Sequence, residues 1–153
     1  MLCGAIDVGT NSVRLLIAST DKGQVRRVHF EMETTRIGAG TAAATARELG
    51  EAGMEGTLAV LRRYRETLER RGVKKARAVA TSAVREALNG EEFARRAAGV
   101  LGFPLEIISG EDEAYLSYVG AARGLPQVER PLVLDIGGGS SELIWMEGQE
   151  VKA

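Results

Sequence analysis

The chain has 153 residues, a formal net charge of -1, 44% hydrophobic residues and 27% charged residues. That is enough chain for one core of ordinary size and too apolar for a disordered one. The near-neutral balance gives no bulk pull toward nucleic acid or an acidic membrane. Cys3 is the single cysteine, so no internal disulfide framework forms and a reducing compartment fits. No apolar run approaches the roughly 20 residues that span a bilayer. A cytoplasmic protein with no membrane and no specific nucleic-acid partner is expected.

Residues 3–8 read as a buried strand that reaches an acid at Asp7, and Gly9, Thr10, Asn11 and Ser12 form a turn into a second strand over 13–19. Asp21-Lys22-Gly23 is a turn signal, so 24–36 is expected as a third, antiparallel strand holding His29, read as structural or exposed. Residues 38–53, rich in Ala, Thr and Gly, carry no firm pattern. Leu58, Leu61, Tyr64 and Leu68 recur at helical spacing, predicting a helix over 54–71 closed by Gly72. The cations between Arg62 and Arg77 read as a solvated helix face. A strand at 76–80 leads into Thr81 to Arg85, an exit loop or first helical turn. Asn89 with Glu92 predicts a capping box opening a helix that Gly102 ends, and a strand follows at 104–108. Ser109 with Asp112 predicts a second capping box, for a helix to Arg123. Gly124-Leu125-Pro126 opens a linker.

The stretch Leu132 to Met146 then runs through an apolar strand, Asp135, three glycines, Ser140, Ser141 and Glu142 into a second apolar run, before a turn at Glu147-Gly148. It repeats the order of residues 5–17: Asp135 corresponds to Asp7, Gly137 to Gly9 and Ser140 to Ser12. A long-period repeat of this kind suggests two related lobes. The expected division is a lobe over 1–125 and, over 126–153, a linker with the first hairpin of a second, incomplete lobe. Two paired strands alone are marginal in water, so this hairpin, with Trp145 packed in it, needs cover from the first lobe or from a second copy of the chain.

An acid at a strand end followed by glycines suits a metal-bound phosphate. The carboxylate holds the cation or its waters, and glycine backbones approach phosphate oxygens closely. On this reading Asp7 and Asp135 face each other across a cleft around Mg²⁺. Gly9, Thr10, Asn11, Ser12, Gly137, Gly138, Gly139 and Ser140 then bond phosphate oxygens. Arg85 is either a phosphate-binding cation beside a helix start or a solvated arginine. Among Glu111, Asp112 and Glu113, helix capping and the helix dipole explain the acids without function, while a general base in the cleft explains one of them with it.

Together these motifs resemble the exopolyphosphatase and guanosine pentaphosphate phosphohydrolase family. The resemblance runs in order through AIDVGTNSVRLLIA, TTRIGAG, VATSAVREALN, IISGEDEAYLSYVGA and LVLDIGGGSSELI. It implies an α/β fold: an actin-type ATPase lobe with a ribonuclease-H-like mixed sheet, ordered β β β α β α β α. It implies hydrolysis of a terminal phosphoanhydride in polyphosphate or guanosine pentaphosphate. By motif, Glu113 looks like the base and Arg85 like a phosphate clamp, with Asp7, Asp135 and Glu142 as the acids around Mg²⁺ and water. The family continues through a whole second lobe, so weak or no turnover is expected of residues 1–153 alone. Two rivals stand beside this reading: a non-catalytic phosphate-binding or assembly module, including a homodimer through the C-terminal hairpin, and a kinase of the same superfamily.

Overall fold

The computed structural model describes residues 1–39, 48–123, 131–139, 141–147 and 150–152. The expected linker after Gly124, the turn at Gly148 and most of the Ala/Thr-rich stretch lie outside the described residues, as does Ser140. The elements are β1 (Leu2–Val8), β2 (Ser12–Asp21), β3 (Gln24–Thr34), α1 (Glu51–Arg70), β4 (Lys75–Ala80), α2 (Ser82–Arg85), α3 (Gly90–Leu101), β5 (Leu105–Ile107), α4 (Gly110–Ala122), β6 (Val133–Ile136), β7 (Ser141–Glu147) and β8 (Glu150–Lys152).

The first sheet has five strands in the order β3-β2-β1-β4-β5. β1–β2 and β2–β3 are antiparallel hairpins, whereas β1–β4 and β4–β5 are parallel and are reached through helical crossovers. This is the mixed sheet that the run of strands followed by βα alternation predicts. Period-2 alternation on β1 and β2 turns Ile6, Val8, Val13, Leu15 and Ile17 to one face, where they are buried with Ala78 and Ala80 of β4. α1 covers that face with Leu58, Leu61, Tyr64 and Leu68, all buried as their spacing requires, and α3 adds Phe93, Ala97 and Leu101. The Tyr64 hydroxyl donates to the Val13 carbonyl at 3.1 Å, and burial pushes its phenol up to about 12.

α1 ends as Gly72 requires. Gly72 is left-handed, its N–H donates to the Glu69 carbonyl, and the Val73 N–H donates to Leu68. α1 begins at Glu51, earlier than its apolar period shows, behind a Gly50 that offers no side-chain cap. The predicted capping box at Asn89 does not form. The Asn89 amide instead accepts from the Leu49 N–H at 2.8 Å and donates to the Leu49 carbonyl at 3.0 Å, fastening the α1 approach to the α3 start. Ser109 does cap α4, its Oγ accepting from the Asp112 N–H at 3.0 Å, while the hydroxyl donates to the Asp112 carboxylate.

The second sheet holds three antiparallel strands, β6-β7-β8, one more than the expected hairpin. β8 is a short Glu-Val-Lys run with no periodicity to announce it. Ala114 and Tyr118 of α4, one turn apart, bury against Ile144, with Val133 and Ala122 at the margin. α4 is thus the cover that this sheet needs. The opposite face carries Leu132, Leu134, Ile136, Leu143 and Trp145, all exposed, so Trp145 does not pack inside the hairpin as expected.

Two glycines separate packing from propensity. A Cβ at Gly90 would lie 2.0 Å from the Val84 carbonyl oxygen, whereas one at Gly56 in mid-α1 would meet nothing within 4 Å. Gly90→Ala should lower the unfolding free energy by about 2–3 kcal/mol. Gly56→Ala should raise it by about 0.5–1 kcal/mol. Urea titration of both variants checks the pair.

Candidate active site

The site lies where the C-terminal ends of β1 and β4 meet α4 and the β6–β7 loop. On β1, Asp7 alternates with the buried Ile6 and Val8 and so projects from the face away from α1. Its neighbours in register are Arg14 on β2 and Val79 on β4. On β6, Asp135 shares a face with Val133, the face that α4 covers. On α4, Glu113 and Ser117 are one turn apart and form a stripe beside the buried Ala114 and Tyr118.

These residues line one cleft of about 520 Å³. Asp7, Glu113 and Asp135 are on its wall, with Gly9, Thr10, Asn11 and Ser12 from the first loop and Gly137, Gly138 and Gly139 from the second. The two loops touch. A Cβ at Gly138 would lie 2.3 Å from the Asn11 side-chain nitrogen, and one at Gly139 would lie 2.7 Å from Thr10 Oγ1 and 2.9 Å from Ser82 Oγ. Thr10 and Ser82 share a hydrogen bond of 2.9 Å beneath them. A side chain at either glycine would have to displace Asn11, Thr10 or Ser82, so the glycines let the two loops close on each other.

Among the described residues each of these three carboxylates has one side-chain donor. Arg14 Nη1 donates to Asp7 Oδ2 at 3.3 Å. Arg85 Nη1 donates to Glu113 Oε2 at 2.9 Å and to the Ile108 carbonyl at 3.0 Å. Ser117 Oγ donates to Asp135 Oδ2 at 2.7 Å. Arg85 is not on the cleft wall, although the resemblance makes it a phosphate clamp. Its guanidinium sits behind Glu113, tying the start of α4 to the end of β5. Glu142 pairs in register with Asp135, but its side chain, like Ser140, lies outside what the structure describes. Arg14 and Ser117 are the site residues the sequence reading missed. The first sits mid-strand and the second mid-helix, and neither position carries a local signal.

The family model for the Ppx/GppA phosphatase family matches residues 16–153. The chain belongs to the Ppx/GppA phosphatase family. It is 40% identical to exopolyphosphatase 2 of Mycobacterium tuberculosis over 96% of its own length and 49% of that protein's. Solved structures resemble it throughout, two of them as follows. The Aquifex aeolicus PPX-GPPA enzyme is 34% identical with a TM-score of 0.87, matched over 100% of this chain and 50% of its own. An exopolyphosphatase from Cytophaga hutchinsonii is 30% identical with a TM-score of 0.87, matched over 99% and 48%. The chain therefore spans about half the length of these relatives. Among the described residues no helix is long and apolar enough to cross a membrane.

In this Ppx/GppA chain the acids are not equivalent. Burial raises the Asp7 pKa above its ordinary 3.8; the Arg14 charge opposes that shift, and the negative charges of Glu113 and Asp135 reinforce it. Among the described residues no three acidic, histidine or cysteine side chains stand close enough to hold a metal ion by themselves. The donor set still fits Mg²⁺. It is all hard oxygen, it concentrates negative charge at a partly buried point, and Mg²⁺ is commonly held by one or two carboxylates with water and phosphate completing its shell.

A raised Asp7 pKa means that the folded state favours the protonated acid. The stability this preference gives is full below 3.8 and is lost as pH rises through the higher folded value. Asp7→Asn should therefore be more stable than the parent at pH 7, with the difference vanishing as pH falls below 3.8. Denaturant melts across that range, in buffer free of divalent cations, check the sign.

Proposed function

We propose that the protein carrying this chain hydrolyses the terminal phosphoanhydride of inorganic polyphosphate or guanosine pentaphosphate, with Glu113 as general base. One observation carries the reading. Glu113 shares a single cleft with Asp7 and Asp135, from two different sheets, and with the glycines of both loops.

Arg85 occupies Glu113 Oε2, while Oε1 has no hydrogen bond among the described residues and is the oxygen available to a water. That oxygen takes a proton as the water oxygen bonds to the terminal phosphorus. The bridging P–O bond breaks, and the departing phosphate keeps its electron pair. Backbone N–H groups of Gly137 to Gly139, with the Thr10, Asn11 and Ser12 side chains, hold the phosphate in line, while the Gly9 N–H closes its own loop on the Ser12 carbonyl. Asp7 and Asp135 would hold Mg²⁺, which when bound neutralises charge building on the phosphate oxygens. The Arg85 guanidinium keeps Glu113 in one rotamer. The exopolyphosphatase names of the relatives support this substrate class.

In the full-length protein, Glu113→Gln should lower kcat for phosphate release by about 10²–10⁴-fold with KM nearly unchanged, as expected for loss of a general base. An unchanged kcat with either substrate would refute the assignment.

A further inference from the structure

Arg36 has a left-handed backbone, φ 51°. Lys22 shares that conformation, but it precedes Gly23 in the two-residue turn joining β2 to β3, where a left-handed pair is the ordinary solution. Arg36 lies in no such hairpin turn. A side chain with a Cβ is costly in this conformation, and strain of this kind persists where the surroundings over-determine it. The surroundings here are the first phosphate loop. The N–H groups of Thr35 and Arg36 both donate to the Asn11 carbonyl at 3.0 Å, and the Gly38 N–H donates to the Thr10 carbonyl at 3.0 Å. The TTRIG turn is thereby bolted to the loop, and Arg36 is held at a fixed place relative to the cleft.

That place is a second cavity, of about 610 Å³. It shares Thr10, Asn11, Ser82, Gly138 and Gly139 with the catalytic cleft, so the two cavities adjoin across these residues, with the Thr10–Ser82 hydrogen bond between them. Arg36 and Glu86 stand on the far wall, and no ion pair joins them. The other two arginines near the cleft are engaged, Arg14 with Asp7 and Arg85 with Glu113. Among the described residues the Arg36 guanidinium has no side-chain partner.

We propose that Arg36 binds a phosphate on the leaving side of the scissile bond, as a subsite beyond the one where hydrolysis occurs. A polyanion entering a cleft walled by three carboxylates needs a cation outside it, and a planar guanidinium takes phosphate with two parallel bonds. The bolted turn keeps that cation at one distance from the reacting phosphorus. The inference rests on the reading of the site given above.

The test compares Arg36→Gly, which suits a left-handed position, and Arg36→Lys with the parent chain, by calorimetry in Mg²⁺ buffer. Orthophosphate, tripolyphosphate and guanosine 5′-triphosphate are the probes. Arg36→Gly should leave the melting temperature unchanged or higher, and should cut the ratio of tripolyphosphate to orthophosphate affinity about tenfold, the loss expected for a charge-assisted hydrogen-bonded contact. Arg36→Lys should recover part of it. A parallel fall for the nucleotide means that Arg36 reads phosphate whatever carries it. A fall for tripolyphosphate alone assigns the subsite to the inorganic chain. An unchanged ratio for both probes overturns the proposal. A parent chain that binds none of the three probes overturns the reading of the site, and this inference with it.

Discussion

Three carboxylates gathered in one partly buried cleft repel one another, and the rest of the molecule is arranged to hold them there. Asp7 registers the cost directly, since burial and the charges of Glu113 and Asp135 all favour its protonated form. Each acid is restrained by one donor from a different element: Arg14 on β2, Arg85 on α2 and Ser117 on α4. Such a gathering makes sense as a place for a divalent cation or for polarised water. It makes little sense as a stabilising feature, because nothing in the fold needs the three charges together.

α4 makes the arrangement possible. Its first turn is tied through Glu113 and Arg85 to the end of β5. Its next turn puts Ser117 on Asp135 of the second sheet, while Ala114 and Tyr118 bury against that sheet. The glycine loops then meet across Asn11, Thr10 and Ser82, where a Cβ on Gly138 or Gly139 would displace those side chains. Fold and site are thus coupled through one helix. Its apolar stripe sets the position of the second sheet, and its polar stripe sets two of the cleft's working groups.

The sequence was legible where local physics decides. Helical spacing marked Leu58, Leu61, Tyr64 and Leu68 as the buried stripe of α1, glycines marked the ends of α1 and α3, and the repeated acid-glycine pattern marked both loops. It was illegible where partners are distant in the chain. Asn89 looked like a helix cap because capping is local, yet its amide is used by Leu49. The pairing of Arg85 with Glu113 likewise has no local sign, because folding alone brings the two together. Ser117 carries no signal at all until β6 arrives beside α4. Trp145 was expected to pack in the hairpin, but it falls on the face of β7 that α4 does not cover.

Amide NMR of the chain, titrated with orthophosphate in the presence of Mg²⁺, reads whether the two loops form one phosphate site. The Gly9 and Gly137 amides should shift together along one saturation curve, and that curve should be lost when Asp7 or Asp135 is replaced by Ala. Shifts confined to one loop, or two loops saturating at different concentrations, would contradict a single site.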